Sequence, residues 1–163
     1  MSAREHYHHG DLRRALVSAA RGAVARGDGE LSLRDVARAA GVSPAAPYRH
    51  FRDREALLDA VAQDIAGELL ADVRGEASLV GAVNAYLTFA AQRRAEFRLC
   101  SGRCQASNNA LAPVWDHLRR VWESDGSSRS SWGSAHALIH GAATLVADGH
   151  APCDLGDTLR RLR

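Results

Sequence analysis

The chain has 163 residues, 46% hydrophobic and 25% charged, with a formal net charge of +2. That is an ordinary globular composition of one or two domains, and no apolar run approaches the ~18 residues of a membrane span. A polar, histidine-rich N-terminus is unlike a signal peptide, and three cysteines, an odd number, argue against a disulfide framework and for a cytoplasmic location.

Every clear periodicity in the chain is helical, so the expected fold class is all-α. An N-terminal three-helix helix-turn-helix domain is expected over residues 1–56, and a short helical effector and dimerisation domain over residues 57–163. Residues 10–26 predict a first helix, with Leu12, Leu16, Ala19, Ala20, Ala23 and Val24 on one face and Gly27-Asp-Gly29 at its end. Ser32 caps a second helix running to about residue 40, with Asp35 near the capping-box position. Leu33, Val36, Ala37 and Ala40 recur there at helical spacing, and Gly41 supplies the left-handed residue that ends it. Ser43 is a good N-cap and Pro44 has φ preset for a first turn, which predicts a third, recognition helix over about 44–50. Pro47 loses one backbone hydrogen bond, but this is still the first turn, so the expected cost is small. Asp53 then caps a long fourth helix with Leu57, Val61, Ile65 and Leu69 on its inner face.

Two helices joined by a short glycine turn form the helix-turn-helix of DNA-binding proteins. Charge agrees with that reading: residues 1–56 carry a net +3 and residues 57–163 a net −1. Residues at the start of the recognition helix reach base edges in the major groove. Ser43 opens that segment, and Ala45 and Ala46 are placed to touch thymine methyls, leaving specificity to few hydrogen bonds and to DNA shape. Arg49, one turn on, is placed to read a guanine or hold a phosphate, and Ser32 to add a backbone contact.

Ala-Gly-Val-Ser43, then Tyr48-Arg-His-Phe51 and Asp53-Arg-Glu-Ala-Leu-Leu58, resembles the N-terminal domain of the TetR (tetracycline-repressor) transcriptional regulators, and His8-His-Gly-Asp-Leu-Arg-Arg-Ala-Leu16 is similar to the start of the first helix in one branch. The resemblance covers roughly the first 65 residues. It implies a base-reading position at Arg34, phosphate contacts at Tyr48 and His50, and a phosphate-facing cation at Arg54, where free N–H groups at a helix start also favour an anion. Phe51 is expected in the core. His6, His8 and His9 fit an N-terminal arm better than a metal site.

Beyond about residue 72 the pattern offers helices over roughly 78–92, 95–101, 110–124 and 132–147, a loop over 125–131 and a short last helix over 155–162. Ala135, Leu138, Ile139, Ala142 and Leu145 make the apolar face of the 132–147 helix. The resemblance implies a two-fold dimer built from the last two helices, and the small residues Ala135, Gly141, Ala142 and Ala143 permit the close approach this needs. His140-Gly141 with Asp148-Gly149 resembles a branch marked by a Trp, His and Gly signature, although His136 stands where that branch has its Trp. Tyr86, Phe89, Phe97, Trp115, Leu118, Trp122 and His140 are the candidate lining of an effector pocket, each of them equally at home in a plain core. His136/His140 and Cys100/Cys104 are i,i+4 pairs with the chemistry of a soft metal site or a thiol switch, but no further ligand is placed beside them, so no metal or cofactor is assigned.

The expected function is that of a homodimeric regulator of transcription, a repressor released from a palindromic operator by a small-molecule effector. A metal- or redox-responsive sensor on the same DNA module, or a ligand-free regulator controlled by a partner protein, are the alternatives. No phosphate-binding glycine loop, nucleophile elbow or pair of catalytic carboxylates points to an enzyme.

Overall fold

A computed structural model describes residues 9–27, 31–103, 109–124, 131–150 and 155, with side chains of the first helix described from Leu12 onward. Among the described residues there are seven α-helices, one 3₁₀ turn and no strand. The chain divides into two compact units, Met1–Asp64 and Ile65–Arg163.

The first unit holds α1 (His9–Arg26), α2 (Leu33–Ala39), the 3₁₀ turn Pro47–Arg49 and the first turns of α3 (Arg54–Arg74). Its core is built from the 3.6-residue stripes of these helices: Leu16, Val17, Ala20 and Ala23 from α1, Leu33, Val36 and Ala37 from α2, and Leu57, Leu58 and Val61 from α3 are buried. Phe51 is buried as expected, with the Arg13 guanidinium 5.4 Å from its ring centroid. An ion pair of 2.9 Å between Arg21 and Asp64 ties α1 to α3 at their exposed edge.

α2 ends where expected. Gly41 has φ +69°, its N–H donates to the Arg38 carbonyl at 3.1 Å, and the Val42 N–H donates to the Ala37 carbonyl at 2.9 Å. These two bonds are a Schellman motif, which needs the left-handed residue that glycine supplies without strain.

The recognition segment differs from expectation. Instead of an α-helix over 44–50, residues 43–46 form a hydrogen-bonded turn that leads into the 3₁₀ turn. The cause is Pro47. In an α-helix its N–H would donate to the Ser43 carbonyl; proline has none, and its ring crowds that carbonyl. The Ser43 carbonyl instead accepts from the Ala46 N–H at 3.0 Å, three residues on, and the Arg49 and His50 N–H groups bond to Ala46 and Pro47 with the same spacing. Pro47 itself is buried.

The second unit holds the rest of α3, α4 (Leu79–Gln92), α5 (Arg94–Ser101), α6 (Ala112–Ser124) and α7 (Trp132–Ala147). Ser78 caps α4, its hydroxyl oxygen accepting from the Gly81 N–H at 3.1 Å. α4 lies against α7, and both bury small and medium residues there: Ala82, Val83, Tyr86 and Ala90 from one, Ala135, Ile139, Ala142, Ala143 and Val146 from the other. α7 closes with a second Schellman motif at Gly149, and Arg98 of α5 donates to its last carbonyl, Ala147, at 3.1 Å.

The inner face of α7 departs from the expected one at its edge. Ala135, Ile139 and Ala142 are buried, but Leu145 is 51% exposed and Leu138 only half-buried, because the buried stripe is centred on Ile139, Ala143 and Val146. The expected last helix over 155–162 lies outside the described residues except for Leu155, which is buried.

Candidate nucleic-acid interface

The start of α2 is a closed polar knot. The Ser32 hydroxyl oxygen accepts from the Asp35 N–H at 3.1 Å and donates to the Asp35 carboxylate, while Arg38 pairs with the same carboxylate at 3.0 Å. The Ser32 hydrogen bond, then Arg38, holds the Asp35 carboxyl below the ordinary carboxylate range. The hydroxyl is therefore committed inside the cap, and what Ser32 retains for a ligand is its backbone.

The start of α3 is arranged the same way. Asp53 accepts from the Ala56 N–H at 2.7 Å and pairs with Arg52 at 3.0 Å. Arg54 donates from Nε to the Leu31 carbonyl at 2.9 Å and pairs with Glu55 at 2.7 Å, so it ties the segment before α2 to α3. Between the two helix starts lies an open cleft of about 970 Å³ lined by Leu31, Ser32, Leu33, Asp35, Tyr48, Arg52, Asp53 and Arg54.

Each acid on this face has an arginine, and two arginines remain. Arg34 and Arg49 are both exposed, and among the described residues neither has a hydrogen-bond or ion-pair partner. Tyr48 beside them is 55% exposed, a strange position for an aromatic residue whose only role is packing. Ser43 and Ala45 are exposed, and Ala46 and His50 are half-buried. Of the expected DNA-facing set, Ser32, Tyr48 and Arg54 line the same cleft, and Ser32 and Arg54 are partly occupied by structural bonds. Sequence spacing carries no signal for the Arg54 bond, because Arg54 finds Leu31 across 23 positions.

In the second unit the expected effector residues separate into two places. Tyr86, Phe97, Trp115 and His140 form one ring cluster, in which the Tyr86 hydroxyl shares a 2.9 Å hydrogen bond with His140 Nδ1 and the Tyr86 and Trp115 centroids are 4.8 Å apart. Trp122 joins its margin through Trp132 at 6.3 Å, and Leu118 is fully buried on the same helix, α6. Trp132 and His136 also belong to the cluster, His136 lying 4.0 Å from the Trp115 centroid and 5.8 Å from that of Trp132. The i,i+4 series 132, 136, 140 on α7 was the available signal for them. Burial lowers the pKa of both His136 and His140, with His140 adding to the effect on His136, so both rings are neutral at pH 7.

Phe89 stands apart, under the Arg93 guanidinium, beside an open groove of about 510 Å³ bordered by Asp72, Glu76, Asn84, Thr88 and Gln92. Cys100 is buried, and Cys104 lies outside the described residues, as do His6 and His8. Among the described residues, no three His, Cys, Asp or Glu side chains converge as a metal site, and no helix is long and apolar enough to cross a membrane.

An all-helical unit with a short glycine turn between α2 and an exposed, basic recognition turn is a helix-turn-helix DNA-binding module. Residues 15–61 match the family described as bacterial regulatory proteins, tetR family. The chain therefore carries the N-terminal DNA-binding domain of that family and is a DNA-binding regulator of transcription. A protein of unknown function from Rhodococcus sp. RHA1 is 34% identical, with 96% of this chain matched to 97% of that one and a TM-score of 0.75. The fatty acid degradation regulator FadR from Bacillus halodurans shares the fold at 19% identity, covering 92% of this chain and 91% of that one with a TM-score of 0.65. So does a protein described as a TetR-family transcriptional regulator from Rhodococcus sp., at 21% identity, 92% and 95% coverage and a TM-score of 0.61. No curated protein matches the chain.

Proposed function

We propose that the chain acts as a homodimer that binds a palindromic operator and represses transcription until a small molecule binds its C-terminal half. The observation that carries the DNA reading is the pair of exposed, unpartnered guanidiniums, Arg34 and Arg49, on a face whose other described cations at the starts of α2 and α3 are paired. An arginine held by no carboxylate meets a guanine edge or a phosphate without first breaking an ion pair. Tyr48 and His50 are phosphate contacts, the backbone of Ser32 adds a further one, and Ala45 and Ala46 supply the apolar part of the reading face, which Ser43 opens.

Two-fold assembly is supported by α7. Its outward side carries Ser134, Ala137, Gly141 and Leu145, all exposed, with Leu138 half-buried beside them. That is a small-residue stripe with one large apolar side chain on it, suited to a second copy of the same helix.

The effector reading rests on the ring cluster. It offers large apolar surface and one polar pair, Tyr86–His140, which is the composition of a small-molecule site. Phe97, Trp115, Leu118 and Trp122 complete its walls. Because the rings touch, a ligand enters by separating them, and that requirement couples occupancy to the spacing of α4, α6 and α7. A coupling of about 1–3 kcal/mol lowers operator affinity by roughly 5–150-fold. The test is selection of short fragments of the source genome by the purified protein. One palindromic motif with half-sites about a helical turn apart is the expected result, and recovery of salt-sensitive background alone contradicts it.

A further inference from the structure

We infer that Pro47 is the specificity-determining residue of the recognition turn: by winding it as 3₁₀ it sets which base pair Arg49 reaches. The inference rests on the DNA reading above and adds a residue that touches no base itself.

Pro47 is buried, so its ring faces the core, yet its effect falls on its neighbours through the backbone. The Ser43 carbonyl bonds to Ala46, the Ala46 carbonyl to Arg49 and the Pro47 carbonyl to His50, three bonds that all have three-residue spacing. Only at Phe51, whose N–H also donates to Pro47 at 2.9 Å, does α spacing reappear. A 3₁₀ turn advances about 120° and 2.0 Å per residue, against about 100° and 1.5 Å in an α-helix. Over the steps from Ala46 to Arg49 the difference amounts to about 60° of rotation and 1.5 Å of rise. At a side-chain radius of roughly 5–6 Å, 60° is an arc of about 5–6 Å. Successive base pairs are about 3.4 Å apart, so the change is larger than one base-pair step.

The two alanines make this consequential. Ala45 and Ala46 donate no hydrogen bond, so among the residues of the turn it is Arg49 that carries directional readout. Arg34 sits on α2, whose cap and Schellman motif do not depend on Pro47, and so provides an internal reference. A residue with an N–H at position 47 allows the α bond to the Ser43 carbonyl and moves Arg49 relative to Ala45, Ala46 and Arg34.

The experiment compares the full-length wild type with Pro47→Val, which nearly keeps the buried volume, in parallel selections from random duplexes. Arg49→Ala in the wild-type background first marks the motif position that Arg49 reads. Pro47→Val should then bind the wild-type motif about 5–150-fold more weakly per half-site, the size of one bidentate contact, and select a motif altered at the Arg49 position and unchanged at the one Arg34 reads. The same motif with unchanged affinity overturns the inference and leaves the DNA reading intact. Failure of the wild type to select any motif overturns both. Loss of helical circular dichroism in Pro47→Val, and again in Pro47→Ala, also overturns it, since the role of Pro47 would then lie in stability.

Discussion

Salt dependence separates the two unpartnered arginines from the paired ones. On the face made by the start of α2, the recognition turn and the start of α3, Arg34 and Arg49 are unpartnered, whereas Arg38, Arg52 and Arg54 each hold a carboxylate. A protein that neutralises Z phosphates releases their counterions, so the logarithm of the binding constant falls against log salt with slope about −0.9Z. Even if the two unpartnered cations of each protomer also displaced counterions from neighbouring phosphates, Z would be about four for a dimer, so the expected slope is roughly −4 or shallower. If all five arginines faced phosphate, Z would be about ten and the slope roughly −9. Fluorescence anisotropy of a labelled operator across about 50–200 mM salt resolves the difference. Arg49→Gln should relax the motif rather than change the slope, and Arg52→Gln should leave both unchanged because its charge is already offset by Asp53. A wild-type slope near −9, or a large effect of Arg52→Gln, refutes the view that the paired arginines are internal.

Gly41→Ala forces a side chain into a φ of +69°, at a cost of about 1–2 kcal/mol, and thermal unfolding followed by circular dichroism should show the loss with no change of DNA motif. His136 and His140 have pKa values lowered by burial, so the unfolded chain takes up their protons first; their stabilising contribution is whole above about pH 6.5 and declines as pH falls below it. Urea unfolding between pH 5 and pH 8, about the range in which histidine titrates, should show that decline, and His140→Gln should reduce it. Tyr86→Phe removes the hydroxyl partner of His140 and should cost about 1–3 kcal/mol in the same assay.

The helices of this chain were legible where local chemistry decides them. Ser32 and Asp35 mark the start of α2, Gly41 its end and Asp53 the start of α3, because caps and left-handed residues act within four positions. Pro47 was visible too, but its effect depends on which carbonyl it leaves without a donor, and counting it as a first-turn residue underestimated that effect. The site was less legible than the fold. Residue types and a family pattern point to Arg34 and Arg49, yet their lack of partners follows from where Asp35, Asp53 and Glu55 turn, which periodicity does not encode. The Tyr86–His140 bond joins residues 54 apart, and the burial of Tyr86 that makes it matter comes from the packing of α4 on α7. Leu145 shows the same limit: its spacing fits an apolar stripe, but spacing alone does not say how wide the buried arc is.

The most direct test of the central claim, that Arg34 and Arg49 read bases, is the ratio of operator to random-duplex affinity for wild type and for Arg34→Ala/Arg49→Ala at one fixed salt concentration. Each lost bidentate contact removes about 1–3 kcal/mol of discrimination, so the ratio should collapse by at least about a hundredfold while random-duplex binding weakens far less. Equal weakening on both duplexes, which leaves the ratio unchanged, would make the two arginines phosphate contacts, and unchanged binding of both duplexes would place sequence reading elsewhere in the chain.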